Sequence, residues 1–215
     1  QLEQVKIGFL RKSIKLPNDW EVSPLNDLTD KEIGDGIHTT PEYVENSIFY
    51  FINGNNLDNG SIVFPQKTKT VSEDEYKKYR LNLSERTVLL SLNGTIGNLA
   101  FFKNEKIILG KSACYMNCND KLDPTFLFYL FQSNLLKSYI ISQQTQTSIP
   151  NLSLHSVRNT PIPHPKSITE QTQIALILSN VDSVIALTKS YKSKLEILKK
   201  GIISKLLTGE LRVKI

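Results

Sequence analysis

The sequence predicts an α+β fold: an irregular, strand-rich domain over residues 1–165, followed by a single long C-terminal coiled-coil helix within residues 166–215. Three observations carry this expectation. Short β-branched or aromatic runs, punctuated by Gly and Asn, fill most of the chain. The stretch Pro161-Ile162-Pro163-His164-Pro165 then forces extended backbone, because each Pro pushes its predecessor out of the helical basin. Beyond it, apolar residues recur every 3.5 positions almost to the C-terminus.

The strands are expected at Ser47–Ile52, Ser61–Phe64, Thr87–Leu92, Asn98–Phe102 and Lys106–Leu109. Turns are expected at Asn53-Gly54-Asn55-Asn56, Asn59-Gly60, Asn93-Gly94 and Gly97-Asn98. Two helices interrupt the strands. The first starts at Ser72, where Ser72-Glu73-Asp74-Glu75 has the form of a capping box. The second starts at Asp123-Pro124, an N-cap followed by Pro at the first helical position, and runs unbroken from Phe126 to Ile141.

Ser167-Ile168-Thr169-Glu170 supplies another capping box, and the long helix follows. Ile174, Val181, Thr188, Leu195 and Ile202 fall on one heptad position; Ile177, Val184, Tyr191, Leu198 and Lys205 fall on its partner. All but Thr188 and Lys205 are apolar, which makes a narrow seam. Gly209 is the natural stop, so about 40 residues at 1.5 Å each give a rod of about 60 Å. The seam must face something. It either folds back on its own domain or meets another long helix, and the chain contains no second helix of this kind. The second alternative makes the partner another copy or another subunit.

Composition narrows the function classes. A chain of 215 residues with 40% apolar content buries one ordinary core, with room for a small appendage. No window approaches about 18 consecutive apolar residues, so no membrane span is expected. The start, Gln1-Leu2-Glu3-Gln4, has neither a secretory signature nor a Met; the chain is trimmed or part of something longer. Cys114 and Cys118 are too few for a disulfide scaffold or a four-ligand zinc site, and in one strand their Cα atoms lie about 13 Å apart, too far to bridge. Two inert thiols in a reducing cytoplasm are expected. The net charge of +5 is uneven: residues 189–215 hold eight basic residues and two acidic ones, leaving residues 1–188 at −1. Charge alone therefore does not point to nucleic acid, and a solvated basic helix face explains the tail equally well.

No catalytic, metal or cofactor motif emerges. There is no Asn-Pro-Pro-Tyr or Asp-Pro-Pro-Tyr for amine methylation and no phosphate-cradling Gly-x-x-x-x-Gly-Lys-Ser/Thr. Asn93-Gly94-Thr95-Ile96-Gly97-Asn98 has two glycines but opens no helix, so it is not a dinucleotide loop.

Taken in order, several short motifs resemble Type I restriction–modification specificity subunits. These are Leu16-Pro17-Asn18-Asp19-Trp20-Glu21, Gly34-Asp35-Gly36-Ile37-His38-Thr39-Thr40-Pro41, and Leu92-Asn93-Gly94-Thr95-Ile96-Gly97. Ser148-Ile149-Pro150-Asn151-Leu152, the Pro161–Pro165 stretch, and Glu170-Gln171 with Ile174-Ala175 and Ile177-Leu178 continue the likeness. It runs through Val181-Asp182 and Leu195–Gly201 to Leu206-Leu207-Thr208-Gly209. The resemblance implies a target-recognition domain for double-stranded DNA, with no catalysis and no cofactor of its own. It also implies docking to methyltransferase subunits and, through the complex, to restriction/translocase subunits. Members of the family usually carry two recognition domains and two helices; this chain holds one of each. It is then either a half-subunit that dimerises or one half of a longer subunit. A homodimer would read one half-site twice, in inverted orientation.

The resemblance does not assign individual contacts, so residue chemistry selects them. His38, Thr39 and Thr40 lie on a Gly-flexible loop. Gln144, Thr145, Gln146 and Thr147 belong to a polar run, and Gln pairs bidentately with adenine. Lys67, Lys69, Lys77, Lys78 and Arg80 are phosphate candidates. Each is also accounted for as an ordinary solvated surface residue, and His38 as a turn-stabilising side chain. A different reading of the whole chain is a coiled-coil assembly adaptor whose head binds protein.

Overall fold

The computed structural model describes residue 17, residues 19–145 and residues 150–213. It divides into two compact units, Gln1–Thr172 and Gln173–Ile215. In chain order the elements begin with β1 (Trp20–Pro24), β2 (Gly34–Asp35), β3 (Tyr43–Val44), β4 (Phe49–Ile52), β5 (Leu57–Asp58), β6 (Ser61–Ile62) and β7 (Thr70–Val71). They continue with α1 (Glu73–Tyr79), β8 (Thr87–Ser91), β9 (Leu99–Phe101), β10 (Ile107–Leu109) and β11 (Ala113–Asn117). Last come α2 (Pro124–Gln132), α3 (Asn134–Gln143), α4 (Leu154–Arg158), β12 (Pro161–Pro165) and α5 (Ile168–Leu207). The fold is α+β, as the sequence predicts.

Two four-stranded sheets build the first unit. One has the order β2-β11-β8-β9 and is antiparallel throughout. The other, β10-β4-β7-β3, is mixed, with β10 parallel to β4. Every residue of β8 is buried. Its run Thr-Val-Leu-Leu-Ser is nearly continuous apolar sequence, the pattern of a strand covered on both faces. Ile52, Leu57, Ile62, Leu89, Ala100, Ile107, Leu109 and Ala113 form a core cluster with members from both sheets. Asn59 and Gly60, at φ 41° and 82°, make the two-residue turn of the β5–β6 hairpin, where Asp58 faces Ser61.

The Pro-rich stretch is β12. It pairs antiparallel with β1, Trp20 facing Pro165 and Val22 facing Pro163, and all five of its residues are buried. Two expectations need correction. Phe64 lies outside β6, which ends at Ile62, and is 40% exposed. The helix expected to run unbroken to Ile141 is two helices. Ser133 adopts ψ 150°, ending α2, and its hydroxyl then accepts the N–H of Leu136 to cap α3. Ser competes with the helical backbone for its own hydrogen bonds, which is why it restarts a helix so readily.

The capping residues act differently from a reciprocal box. Ser72 accepts the N–H of Glu75, whose carboxylate takes a hydrogen bond from Lys78. Ser167 accepts the N–H of Glu170, whose carboxylate accepts the indole N–H of Trp20 at 3.3 Å.

The second unit is the body of α5 and the residues after it. The helix is 40 residues long, about 60 Å at 1.5 Å per residue. Gly209 sits at φ 76°, and the N–H of Leu211 reaches back to the carbonyl of Lys205, a glycine stop of the expected kind. The seam residues Ile177, Val181, Val184, Tyr191, Leu195, Leu198 and Ile202 are 42–65% exposed, and Ile174 is half-buried. One window of α5 has a mean hydropathy of 1.2, so by length and composition alone this helix is apolar enough to cross a membrane. The expectation of no span rested on consecutive apolar residues, and α5 instead spaces its apolar residues with Ser179, Asn180, Asp182 and Ser183.

Candidate nucleic-acid interface

The candidate residues distribute over three places in the first unit. The first is the loop after β2. Gly36 lets it approach β10, because a Cβ there would overlap the carbonyl of Leu109. Next to it the N–H of Ile37 donates to that same carbonyl at 2.7 Å, and Lys111 N–H donates to Ile37. The chain then emerges, and His38, Thr39 and Thr40 are all exposed. His38 Nε2 lies 2.9 Å from Asp35 Oδ2. This contact is the turn-stabilising role weighed against DNA contact, and it also holds the ring in one place.

The second place is the mixed sheet and its flank. Lys67 and Lys69 line an open groove of about 630 Å³, together with Tyr43, Tyr50, Phe64 and Gln66. Among the described residues neither lysine has a carboxylate within ion-pairing distance; Lys69 Nζ sits 5.7 Å from the centre of the Tyr43 ring. Helix α1 packs on this sheet through Tyr76, stacked on Phe49 at 4.6 Å. Its cations are not equivalent. Lys77 pairs with Glu73 at 2.9 Å; that hydrogen bond and charge lower the Glu73 carboxyl and raise the Lys77 ammonium. Lys78 is raised by its contact with Tyr79 and by Glu75, 3.3 Å away. Arg80 is exposed with no carboxylate partner among the described residues. Three of the five phosphate candidates therefore carry uncompensated charge: Lys67, Lys69 and Arg80.

The third place is the segment after α3. Thr145 is tied to Asn151 by two hydrogen bonds, its N–H donating to the carbonyl and its hydroxyl accepting from the amide, each 3.0 Å. Gln144 lines a cleft of about 300 Å³ with Ile96, Gly97, Lys137 and Gln132, whose Nε2 is buried without a hydrogen-bond partner among the described residues. Gln146 and Thr147 lie outside the described residues. The structure thus brings Lys67 and Lys69 together in one groove and places Gln144 in a different one.

The two cysteines offer no chemistry. Both are buried, and burial pushes each thiol up to about 12.

The family described as the Type I restriction modification DNA specificity domain matches residues 17–197. The chain belongs to that family. The Type I restriction enzyme MjaVIII specificity subunit of Methanocaldococcus jannaschii is 30% identical over 220 residues, covering 96% of this chain and 51% of that protein. The specificity domain therefore spans about half the length of the curated relatives it matches. Two crystal structures share its fold. The Type I restriction–modification S subunit from M. genitalium gives a TM-score of 0.56 at 21% identity, over 89% of this chain and 47% of that one. The HsdS subunit from Thermoanaerobacter tengcongensis gives 0.57 at 22%, over 86% and 48%.

Sequence reasoning missed two kinds of residue in this specificity domain. Of the exposed aromatics, Phe64 was absorbed into the strand expected at Ser61–Phe64, where an aromatic reads as core, and Tyr43 fell outside every expected element. Gln171, quoted only as part of a family motif, is fully buried: its oxygen accepts the N–H of Asp123, and its amide donates to the carbonyls of Lys121 and Pro165, all at 2.9 Å. A Gln one turn into an amphipathic helix gives no outward sign of burial.

Proposed function

We propose that this chain is the DNA-reading half of a Type I restriction–modification complex, directing methyltransferase subunits, and through them restriction/translocase subunits, to a target half-site. It contributes recognition and no chemistry, and it acts in the cytoplasm. The observation that supports this most is the family match, which runs from residue 17 to 197 and so takes in both the strand-rich unit and most of α5. The first unit presents polar loops and unpaired cations of the kind that position a protein on phosphates and base edges. His38, Thr39, Thr40 and Gln144–Thr147 are the proposed base readers. Lys67, Lys69 and Arg80 are the proposed phosphate contacts, with Lys77 and Lys78 joining once released from Glu73 and Glu75.

The exposed seam is proposed to pair with the same helix of a second copy, or of a second specificity half. Charge favours an antiparallel pairing. Residues 168–188 of α5 carry Glu170 and Asp182 and no basic residue, whereas 189–207 carry six lysines and Glu196. Parallel, in-register helices would set lysine against lysine; antiparallel ones set the basic half against the acidic half. A lipid environment is a poorer match, since Asp182 at mid-helix costs about 2.5–3.5 kcal/mol in hydrocarbon.

The test is co-production with the cognate modification subunit followed by sequencing of methylated DNA. Methylation at one defined sequence, dependent on this chain, is expected. The chain alone is expected to bind DNA only at micromolar Kd or weaker at physiological salt, because the first 188 residues carry no net positive charge. Nanomolar binding by the lone chain, or methylation indifferent to its presence, contradicts the proposal.

A further inference from the structure

We propose that the groove lined by Tyr43, Phe64, Lys67 and Lys69 holds one unstacked nucleotide of DNA, its base against the aromatic rings and its phosphate at the two ammonium groups. This rests on the reading above, in which the chain sits on DNA beside a methyltransferase. It goes further by naming what the groove takes and in what state.

Three features of the groove converge on that ligand. Its aromatics are unusually open: Tyr43 and Phe64 are each 40% exposed. They are also held in place. The Phe64 ring lies 4.4 Å from Tyr50 and the Tyr43 ring 5.8 Å from Phe51, centre to centre, so each exposed ring is fixed by a second one. Its two lysines face a single lining carboxylate, Glu45, and neither is ion-paired among the described residues. Gln66 and Thr68 add an amide and a hydroxyl to the same wall, groups that read a base edge. The volume of about 630 Å³ falls in the range that accepts a small molecule of nucleotide size.

The combination discriminates between ligands. A surface that only grips phosphates has no use for exposed rings. A docking face for an apolar protein segment would not keep two unpaired ammonium groups in its lining. Aromatic rings beside cations are the pattern of single-strand nucleic-acid grooves, where bases stack on the rings and the backbone lies along the charge. In an intact duplex the base faces are covered by their neighbours and only the edges are offered. The rings of Tyr43 and Phe64 therefore meet a base only where one has left the stack. Methyl transfer to a base requires such a departure, and it leaves a partner base without its pair.

The probe is a short deoxyribo-oligonucleotide carrying one 2-aminopurine, whose fluorescence is quenched by stacking, used single-stranded and as a duplex with the full chain at low salt. The wild-type chain is expected to bind the single strand, quench the probe, and prefer it over the perfect duplex. Tyr43→Ala with Phe64→Ala is expected to weaken single-strand binding about tenfold and to abolish the quench. Tyr43→Phe with Phe64→Tyr, which keeps both rings, restores both signals and guards against misfolding as the cause. Lys67→Ala with Lys69→Ala weakens binding and flattens its salt dependence by up to about 1.4 in slope. Absence of quenching by the wild type, or quenching that survives loss of both rings, overturns the inference even if the complex with its modification subunit methylates one defined site. A wild-type complex that methylates no defined site removes the functional reading instead and leaves the oligonucleotide result standing.

Discussion

The side-chain oxygen of Gln171 accepts the backbone N–H of Asp123 at 2.9 Å, joining the first turn of α5 to the start of α2. Asp123 is itself the cap of α2, accepting the N–H groups of Thr125 and Phe126 at 2.8 Å, and its other carboxylate oxygen takes the hydroxyl of Thr172 at 3.1 Å. One buried amide and one carboxylate thus close two helix starts against each other.

Removing that amide leaves the Asp123 N–H and the Lys121 carbonyl without their partner, and the Pro165 carbonyl with only His164 Nδ1, 3.0 Å away. Each buried polar group left unpaired costs about 1–3 kcal/mol. Gln171→Ala is therefore expected to destabilise the chain by about 2–4 kcal/mol, read as a lower urea midpoint. Gln171→Glu should also destabilise, because a carboxylate accepts from Asp123 but cannot donate to the two carbonyls. Unchanged midpoints for both variants would show that the join carries no stability.

Glu73 neutralises Lys77 in the free chain. Glu73→Gln removes that anion while keeping its size, and is expected to raise DNA affinity and to steepen the salt dependence by up to about 1 in slope, as one more cation becomes available to phosphate. Arg80→Ala is expected to weaken binding more than Lys77→Ala. Equal losses for the two, measured by anisotropy titrations at several salt concentrations, would show that Glu73 does not withhold Lys77 from phosphate, and no loss for either would argue that α1 does not face the duplex.

Leu195 and Leu198 are 47% and 57% exposed on the seam. Replacing both with Asp puts two charges on the proposed pairing line, and the chain is expected to sediment as a monomer with an unaltered near-ultraviolet spectrum. A sedimentation coefficient identical to that of the wild type would remove the seam from the assembly.

Substituting alanine across Gln144–Thr147 is expected to change which DNA sites are methylated while partner association, read by co-purification, persists. Methylation at the original site would move the recognition segment elsewhere, with the His38–Thr40 loop the next to test.

Both thiols are raised to about 12 by burial, against 9.0 for an ordinary cysteine. Folded Cys114 and Cys118 should stay protonated and resist iodoacetamide at pH 8, with labelling only as the chain unfolds. The unfolded thiols ionise first, so the contribution of the buried neutral form is complete below about pH 9 and declines as pH rises toward 12. Rapid labelling of the native chain at pH 8 would contradict the burial.

Much of this fold was legible from local chemistry, because it rests on signals a few residues long. Asp123-Pro124 announces a helix start, Asn59-Gly60 a hairpin, and Pro161–Pro165 an extended segment. The long helix was legible because a 3.5-residue period repeats over five heptads. What escaped depends on tertiary placement. Ser133 sits between Gln132 and Asn134 in a stretch of otherwise helical pattern, and its φ/ψ departs from the helix without any Gly or Pro to mark it. The burial of Gln171 depends on residues about 50 positions away, which no local window contains. The groove is of the same kind, since Tyr43 and Lys67 meet only through the pairing of β3 and β7.

In an antiparallel pair the residues that exchange hydrogen bonds alternate along the strand. Proline has no N–H, so Ile162 and His164 are the residues of β12 able to donate toward β1, facing Ser23 and Glu21. The opposite edge then offers carbonyls alone, and that of Pro165 is already taken by Gln171. A strand with no outward donors is a closed seam against further sheet growth. All five residues of β12 are buried as well, so this border is closed to an added strand both by its cover and by its want of donors.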